Sequence, residues 1–279
     1  MNGTILVAGA TGRVGSAAVR HLPHAGFEVR ALARSVDKGR PLRALDAEVV
    51  IGDVTKPSSL APAVAECKGV YSALAAGHGS ASEVEYRGNL NLLSAAEEDG
   101  VSRFVYSSAL LVDHLLAQRV SIFGEKWRFE EVLLRAKSVA PYRLTPGGVH
   151  GDPAHGAKRS VRLHLRPSTT PISWISASDV ELAATRASER GIIGRHELAG
   201  RGQETFDSAY SRLARAQGLR IQIIHPPLAL MRVPGLVLEE VRELTNMFAL
   251  FDAAGYAADP TPLRERLEAQ AQTLEEWAS

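Results

Sequence analysis

The chain has 279 residues, 45% hydrophobic and 23% charged, with a formal net charge of +1. That is the composition of a folded globular protein, long enough to bury roughly three quarters of its unfolded surface. So small a net charge supplies no field toward nucleic acid or an anionic membrane, and no apolar run approaches the ~18 residues of a membrane-spanning helix. The lone cysteine, Cys67, has no internal disulfide partner. With no basic region ahead of Ile5-Leu6-Val7, no signal peptide is expected, and a cytoplasmic location fits.

In chain order, Thr4–Ala8 reads as an apolar strand and Val14–Leu22 as a helix. Between them lies Gly9-Ala10-Thr11-Gly12-Arg13-Val14-Gly15. Further strands are expected at Glu28–Arg34, Glu48–Ile51, Gly69–Leu74, Arg103–Ser107 and Pro141–Thr145. Helices are expected at Leu42–Leu45, Ser58–Glu66, Tyr86–Asp99 (stopping at Gly100) and Glu125–Lys137. Cys67 falls at the end of the second of these and reads as structural, since no His or second Cys lies beside it. This alternation predicts a doubly wound parallel α/β sheet with helices on both faces. After Pro146-Gly147-Gly148 the pattern changes. The Gly-, Pro-, Arg- and His-rich stretch 151–171 reads as a loop or hairpin. A helix opens at Ser178-Asp179 with one of these two as its cap, and another spans Phe206–Gln217. Leu219–His225 is β-like, Val237–Phe251 is helical, and Thr261–Trp277 forms a helical tail.

The glycine-spaced turn between strand and helix directs backbone N–H groups at a helix N-terminus, a site for a pyrophosphate. Gly9 permits the turn, Gly12 lets phosphates approach the backbone, and Gly15 lets the helix pack closely. Thr11, Arg13 and Val14 fill the turn. The spacing is G-x-x-G-x-x-G rather than the standard G-x-G-x-x-G. An NAD site carries an acid at the end of the second strand to hold the ribose 2′-OH. Here Arg34-Ser35 stands there, and a guanidinium attracts a 2′-phosphate. The cofactor expected is therefore NADP(H). Asp53 has two readings, an acceptor for the adenine amino group or a turn residue, with Val54 covering the ring. The small residues Ala73 and Ala75 let the cofactor ribose lie against the backbone.

On these residues the chain resembles the short-chain dehydrogenase/reductase superfamily, and within it the atypical NmrA-like branch of quinone, azo-dye and triphenylmethane reductases and redox-sensing regulators. The matching segments are Gly9–Gly15, the strand ending at Arg34, Tyr86–Leu92, Arg103–Ser108, Lys126 with Trp127–Leu133, Leu144–Gly148, Ile175–Val180, Pro260–Leu263 and Thr273–Trp277. Thr145 stands where the branch usually has Arg. The resemblance implies that Lys126 binds the nicotinamide ribose, with Ser107 and Gly147 touching the cofactor and Ser108 near the substrate. It also implies a Tyr four residues before the Lys and a Ser after the fifth strand. Ile122 and Ala109 occupy those positions, so the proton-donating pair is absent.

The implied function is an NADPH-dependent reductase passing hydride to a small aromatic, quinone or enone substrate, with the proton from solvent or from His114. The alternatives are a non-catalytic NADP(H) sensor or a tailoring enzyme without net redox change. Residues 1–150 would form the cofactor-binding core, with 172–200 returning to it. Residues 151–171 and 201–279 would form a small substrate-binding lobe or lid. His150 reads equally as a substrate contact or a loop residue. The basic run Lys158, Arg159, Arg162, His164 and Arg166 reads as a solvated face or an attractor of acidic substrates. The stripe Val237, Leu238, Val241, Leu244, Met247, Phe248 and Phe251 reads as core or lid. Trp127, Trp174 and Trp277 read as packing residues. No histidine has metal-ligand spacing, so no metal is expected. The partners expected are a small-molecule substrate, no nucleic acid and no membrane, with the protein a monomer or homodimer.

Overall fold

A computed structural model describes residues 3–76, 81–136, 140–146, 148–150, 161–163, 169–190, 192–216, 218, 220, 222–225, 239–255, 257–259, 261 and 265, with backbone alone for 140–150 and 161–163. Seven parallel strands form the main sheet: β1 (Thr4–Ala8), β2 (Glu28–Ala33), β3 (Glu48–Ile51), β4 (Gly69–Ser72), β5 (Arg103–Ser107), β6 (Ala140–Pro146) and β10 (Gly194–Leu198), in the spatial order β10-β6-β5-β4-β1-β2-β3. The chain winds outward from β1 in both directions, so the strand order reverses between β1 and β4. Ligands of open α/β sheets bind at that switch point, beyond the strand C-termini.

Alternation along the strands fills two cores. Ile5 and Val7 of β1 face α1 (Arg13–His21), α2 (Val36–Arg43) and α6 (Ala177–Arg190). Leu6 and Ala8 face the other way, toward α3 (Ala61–Val64), α4 (Asn89–Glu98) and α5 (Ser121–Arg135). Helices thus cover both faces. A third apolar cluster joins the segment after β5 to β9 (Ile172–Ser176), α7 (Phe206–Ala216) and α8 (Glu239–Ala254). Two minor sheets complete the chain. β9 pairs with β7 (Gly148–His150) and β11 (Gln203–Glu204), and β8 (Val161–Leu163) pairs with β12 (Gln222–Ile224). Among the described residues no helix is long and apolar enough to cross a membrane.

Several boundaries differ from expectation for identifiable reasons. α2 begins at Val36, ahead of Leu42, because the Ser35 hydroxyl accepts the Lys38 N–H and caps it. The expected helix Ser58–Glu66 is a 3₁₀ turn, Pro57–Ser59, followed by the one-turn α3. Pro62 has no N–H to continue a longer helix, and Cys67 lies beyond α3, just before β4. The helix expected from Tyr86 is preceded by a π-helical turn, Ser82–Gly88. α5 starts four residues early, at Ser121, and ends at Arg135. α6 is capped by Ser176, whose hydroxyl accepts the Asp179 N–H, rather than by Ser178 or Asp179. Among the described residues β8 pairs with β12, which runs parallel to it from sixty residues on. β10 escaped the sequence reading because Gly-Arg-His-Glu-Leu is the polar pattern of an edge strand. The tail beyond Thr261 lies outside the described residues apart from Glu265, as do Trp277 and the side chains of His150 and the basic run 158–166.

Candidate cofactor and substrate site

The turn after β1 is made of backbone. Gly9 has φ +78°, and a Cβ there would sit 2.3 Å from the Ala73 carbonyl oxygen at the exit of β4; only glycine meets both demands. The Gly12 N–H donates to the Gly9 carbonyl at 2.9 Å and closes the turn. Gly12 is the N-cap of α1, with no side-chain hydrogen bond at the cap and no acid in the first turn. The positive end of the helix is left for an anion. A Cβ on Gly15 would sit 2.2 Å from the Gly9 oxygen. The close packing that Gly15 permits is therefore against the turn itself.

This turn forms one wall of a cleft of about 310 Å³ at the switch point. Gly9, Thr11 and Gly12 line it on one side, Arg34 and Lys38 on a second, Asp53, Val54 and Thr55 on a third, and Ala73 to Ala76 form its floor. Arg13 is exposed and outside these walls, and Val14 packs half-buried against the core of α1. Asp53 serves its turn: its Oδ1 accepts the Thr55 N–H at 3.0 Å and the Thr55 hydroxyl at 2.8 Å. The Thr55 N–H, foremost, holds the Asp53 carboxyl below its usual range. The backbone cradle, the uncapped helix end and the two cations fit a dinucleotide phosphate group.

Beyond this cleft, at the C-terminal end of β5, lies a buried polar cluster. Lys126 of α5 is 7% exposed. Its Nζ donates to the Ser107 carbonyl at 3.2 Å and lies 2.9 Å from Oε2 of Glu85. It also stands 5.3 Å from the centre of the Tyr106 ring, a cation–π distance. Ser107 and Ser108 are buried beside it. Burial, helped by the charges of Glu85 and Glu130, pushes the Tyr106 phenol well above its usual pKa. It therefore keeps its proton at neutral pH.

The structure does not gather every expected residue here. The Nδ1 of His114 accepts the Leu116 N–H at 3.1 Å and caps the 3₁₀ turn Leu115–Arg119. Ile122 and Ala109 join the third apolar cluster. The Tyr86 ring lies 4.0 Å from the Arg128 guanidinium. Gly147 lies outside the described residues. Cys67 is buried against Arg30, and burial raises its thiol pKa, which suits a structural residue. Trp174 sits in an aromatic cluster that sequence neighbours did not announce, edge-on to Phe206 at 5.5 Å and to Tyr210 at 6.2 Å. Within the α8 stripe Phe251 is buried while Leu244 is exposed, so the stripe is part core and part surface. Among the described residues no cluster of His, Cys, Asp or Glu is arranged to hold a metal.

Sequence reasoning missed Glu85 and Lys38. Lys38 follows from the Ser35 cap, which starts α2 early enough to turn it toward Arg34. Glu85 stands in a Glu-Val-Glu-Tyr-Arg run that reads as a solvated helix face, and the π turn gives it a direction that α-helical spacing does not.

The model of the NAD(P)H-binding family matches residues 9–166. The photosystem II assembly factor Ycf39 of Synechocystis sp. is 26% identical over 236 residues, covering 82% of this chain and 72% of that protein. Among solved structures, the NADPH-dependent quinone oxidoreductase QOR2 of Escherichia coli, complexed with NADPH, superposes with a TM-score of 0.75 at 20% identity, over 99% of this chain and 98% of that one. The triphenylmethane reductase of Citrobacter sp., complexed with NADP(H), superposes with a TM-score of 0.72 at 18% identity, over 98% of each chain. A Rossmann-type sheet with a phosphate cradle at its switch point defines a dinucleotide-binding protein. This chain belongs to the NAD(P)H-binding family.

Proposed function

We propose that this protein is an NADPH-dependent reductase of a small aromatic, quinone or enone acceptor. The observation that carries the reading is a cleft with two cations, Arg34 and Lys38, where an NAD-specific site has an acid, leading toward a buried lysine at the far end. Bound there, NADPH supplies the hydride. Arg34 and Lys38 hold the 2′-phosphate, the α1 N-terminus receives the pyrophosphate, and the floor from Ala73 to Ala76 supports the ribose. Lys126 has three protons. Ser107 and Glu85 engage two directions of the ammonium, and the third is offered to the nicotinamide ribose. With Ile122 in place of a phenol and Tyr106 locked in its protonated form, the acceptor oxygen takes its proton from solvent. This suits acceptors whose reduced anion is stable, such as quinones. The similarity to a quinone oxidoreductase and a dye reductase supports the substrate class.

The test is the loss of NADPH absorbance with a panel of quinones, enones and dyes. Turnover with NADPH well above that with NADH is the expected result. Tight NADPH binding with no turnover on any acceptor overturns the reading in favour of a second one, a cofactor-binding assembly or regulatory protein. The missing acid pair and the similarity to the assembly factor Ycf39 favour that second reading.

A further inference from the structure

Glu85 is fully buried, and each of its two oxygens has a separate task. Oε1 accepts the N–H of Ala76 at 3.0 Å, and Ala76 is part of the cleft floor. Oε2 faces Lys126 Nζ at 2.9 Å. One carboxylate thus joins the backbone that supports the cofactor to the lysine on a different helix. The backbone that carries this side chain is held from behind. The Asn89 side-chain N–H donates to the Glu85 carbonyl at 2.7 Å, and Asn89 Oδ1 accepts the Ser72 hydroxyl at 2.6 Å. Both bonds are buried and brace the π-helical turn Ser82–Gly88 against β4. Such turns are frequent at functional sites.

We infer that Glu85 is a positioning residue that locks the orientation of Lys126 to the position of the cleft floor, so that seating the cofactor and aiming the lysine are one event. This rests on the proposed contact between Lys126 and the nicotinamide ribose. An ammonium buried without its carboxylate turns toward whatever acceptor remains. A floor strand without its acceptor leaves the Ala76 N–H unmet.

The test is NADPH affinity by calorimetry, which needs no substrate. The set is the parent, Glu85→Gln, Lys126→Met and the double variant. Lys126→Met is expected to weaken binding about tenfold, the worth of one hydrogen bond from a charged donor. Glu85→Gln is expected to weaken it by a similar factor. The double variant is expected to bind no worse than Lys126→Met alone, because the two residues act as one unit. If Lys126→Met binds as the parent does, the lysine–ribose reading fails, and this inference with it. If Lys126→Met weakens binding while Glu85→Gln does not, or the two losses multiply, the reading stands and the inference is overturned. Should Glu85→Gln fail to fold, hydrogen exchange in cofactor-free Lys126→Met decides. Faster exchange at Ala76 than in the parent supports the link, and unchanged exchange refutes it.

Discussion

The two ends of the site are built from different materials. The phosphate end is backbone: a glycine turn, a helix terminus and a floor of alanines, open to solvent, with Arg34 and Lys38 at its rim. The lysine end is side chain: Lys126, Glu85, Tyr106 and Ser108, brought from three separate segments and buried. A backbone site tolerates most substitutions except those that add a Cβ. A side-chain site depends on charges being matched. In the function proposed above, the first selects the cofactor and the second bears on its use.

The sharpest way to break the phosphate end is Gly9→Ala. The backbone strain alone costs roughly 1–3 kcal/mol, and the new Cβ collides with the Ala73 carbonyl. Thermal unfolding should show the loss, and calorimetry should show NADPH binding weakened at least about a hundredfold. A variant that binds as the parent does would mean the turn is not the phosphate cradle.

The lysine end is sharpened by a carboxyl that has no cation. Glu181 of α6 is as buried as Glu85, but among the described residues it accepts the Thr185 hydroxyl, at 2.6 Å. Burial raises its pKa from 4.5 to about 8. Between those values the unfolded chain gives up a proton that the folded one keeps. Its contribution is therefore complete below pH 4.5 and is lost as pH rises through 8. Glu181→Gln, which keeps an acceptor for Thr185, should gain melting temperature relative to the parent between pH 5 and pH 8.5. A constant difference across that range would place the Glu181 pKa near its ordinary value.

At the rim, Arg34→Glu should reverse the cofactor preference. One charged hydrogen bond is worth about 1.5–3 kcal/mol, so NADPH should lose roughly ten- to a hundredfold in affinity while NADH gains. Equal affinities in the parent would already refute the role given to Arg34. The smallest expected effect lies where α8 touches the lysine helix. Glu243 of α8 accepts the Ser121 N–H at 2.7 Å and caps α5, for which Val120 offers no side chain. Glu243→Ala should cost about 1 kcal/mol in urea unfolding and leave the cofactor preference unchanged.

The same division explains what the sequence disclosed. The phosphate end was legible because its residues are contiguous and its requirements are conformational: Gly9, Gly12 and Gly15 admit few other uses, and Arg34 follows from strand length. Lys126 was visible only through resemblance. Glu85 was not visible at all, because its role depends on a π turn and on α5 arriving beside it forty residues later. His114 read as a proton shuttle and serves as a cap, a local hydrogen bond that composition does not reveal. β10 was missed because the polar alternation of an edge strand resembles that of a loop.

That last strand has a bearing on how the protein is made. β6 ends at Pro146, and its outer neighbour β10 begins at Gly194. During synthesis at about 5–20 residues per second, the open side of β6 therefore waits several seconds for its partner. In that interval it presents unpaired N–H and C=O groups to any other extended chain. Once in place, β10 is held by the ion pair of Arg195 with Asp113, a residue of the loop after β5. Aggregation during expression should thus be governed by the arrival of β10 rather than by the stability of the finished fold, and slower growth at low temperature or a holdase chaperone should raise the soluble yield of variants that melt no lower than the parent.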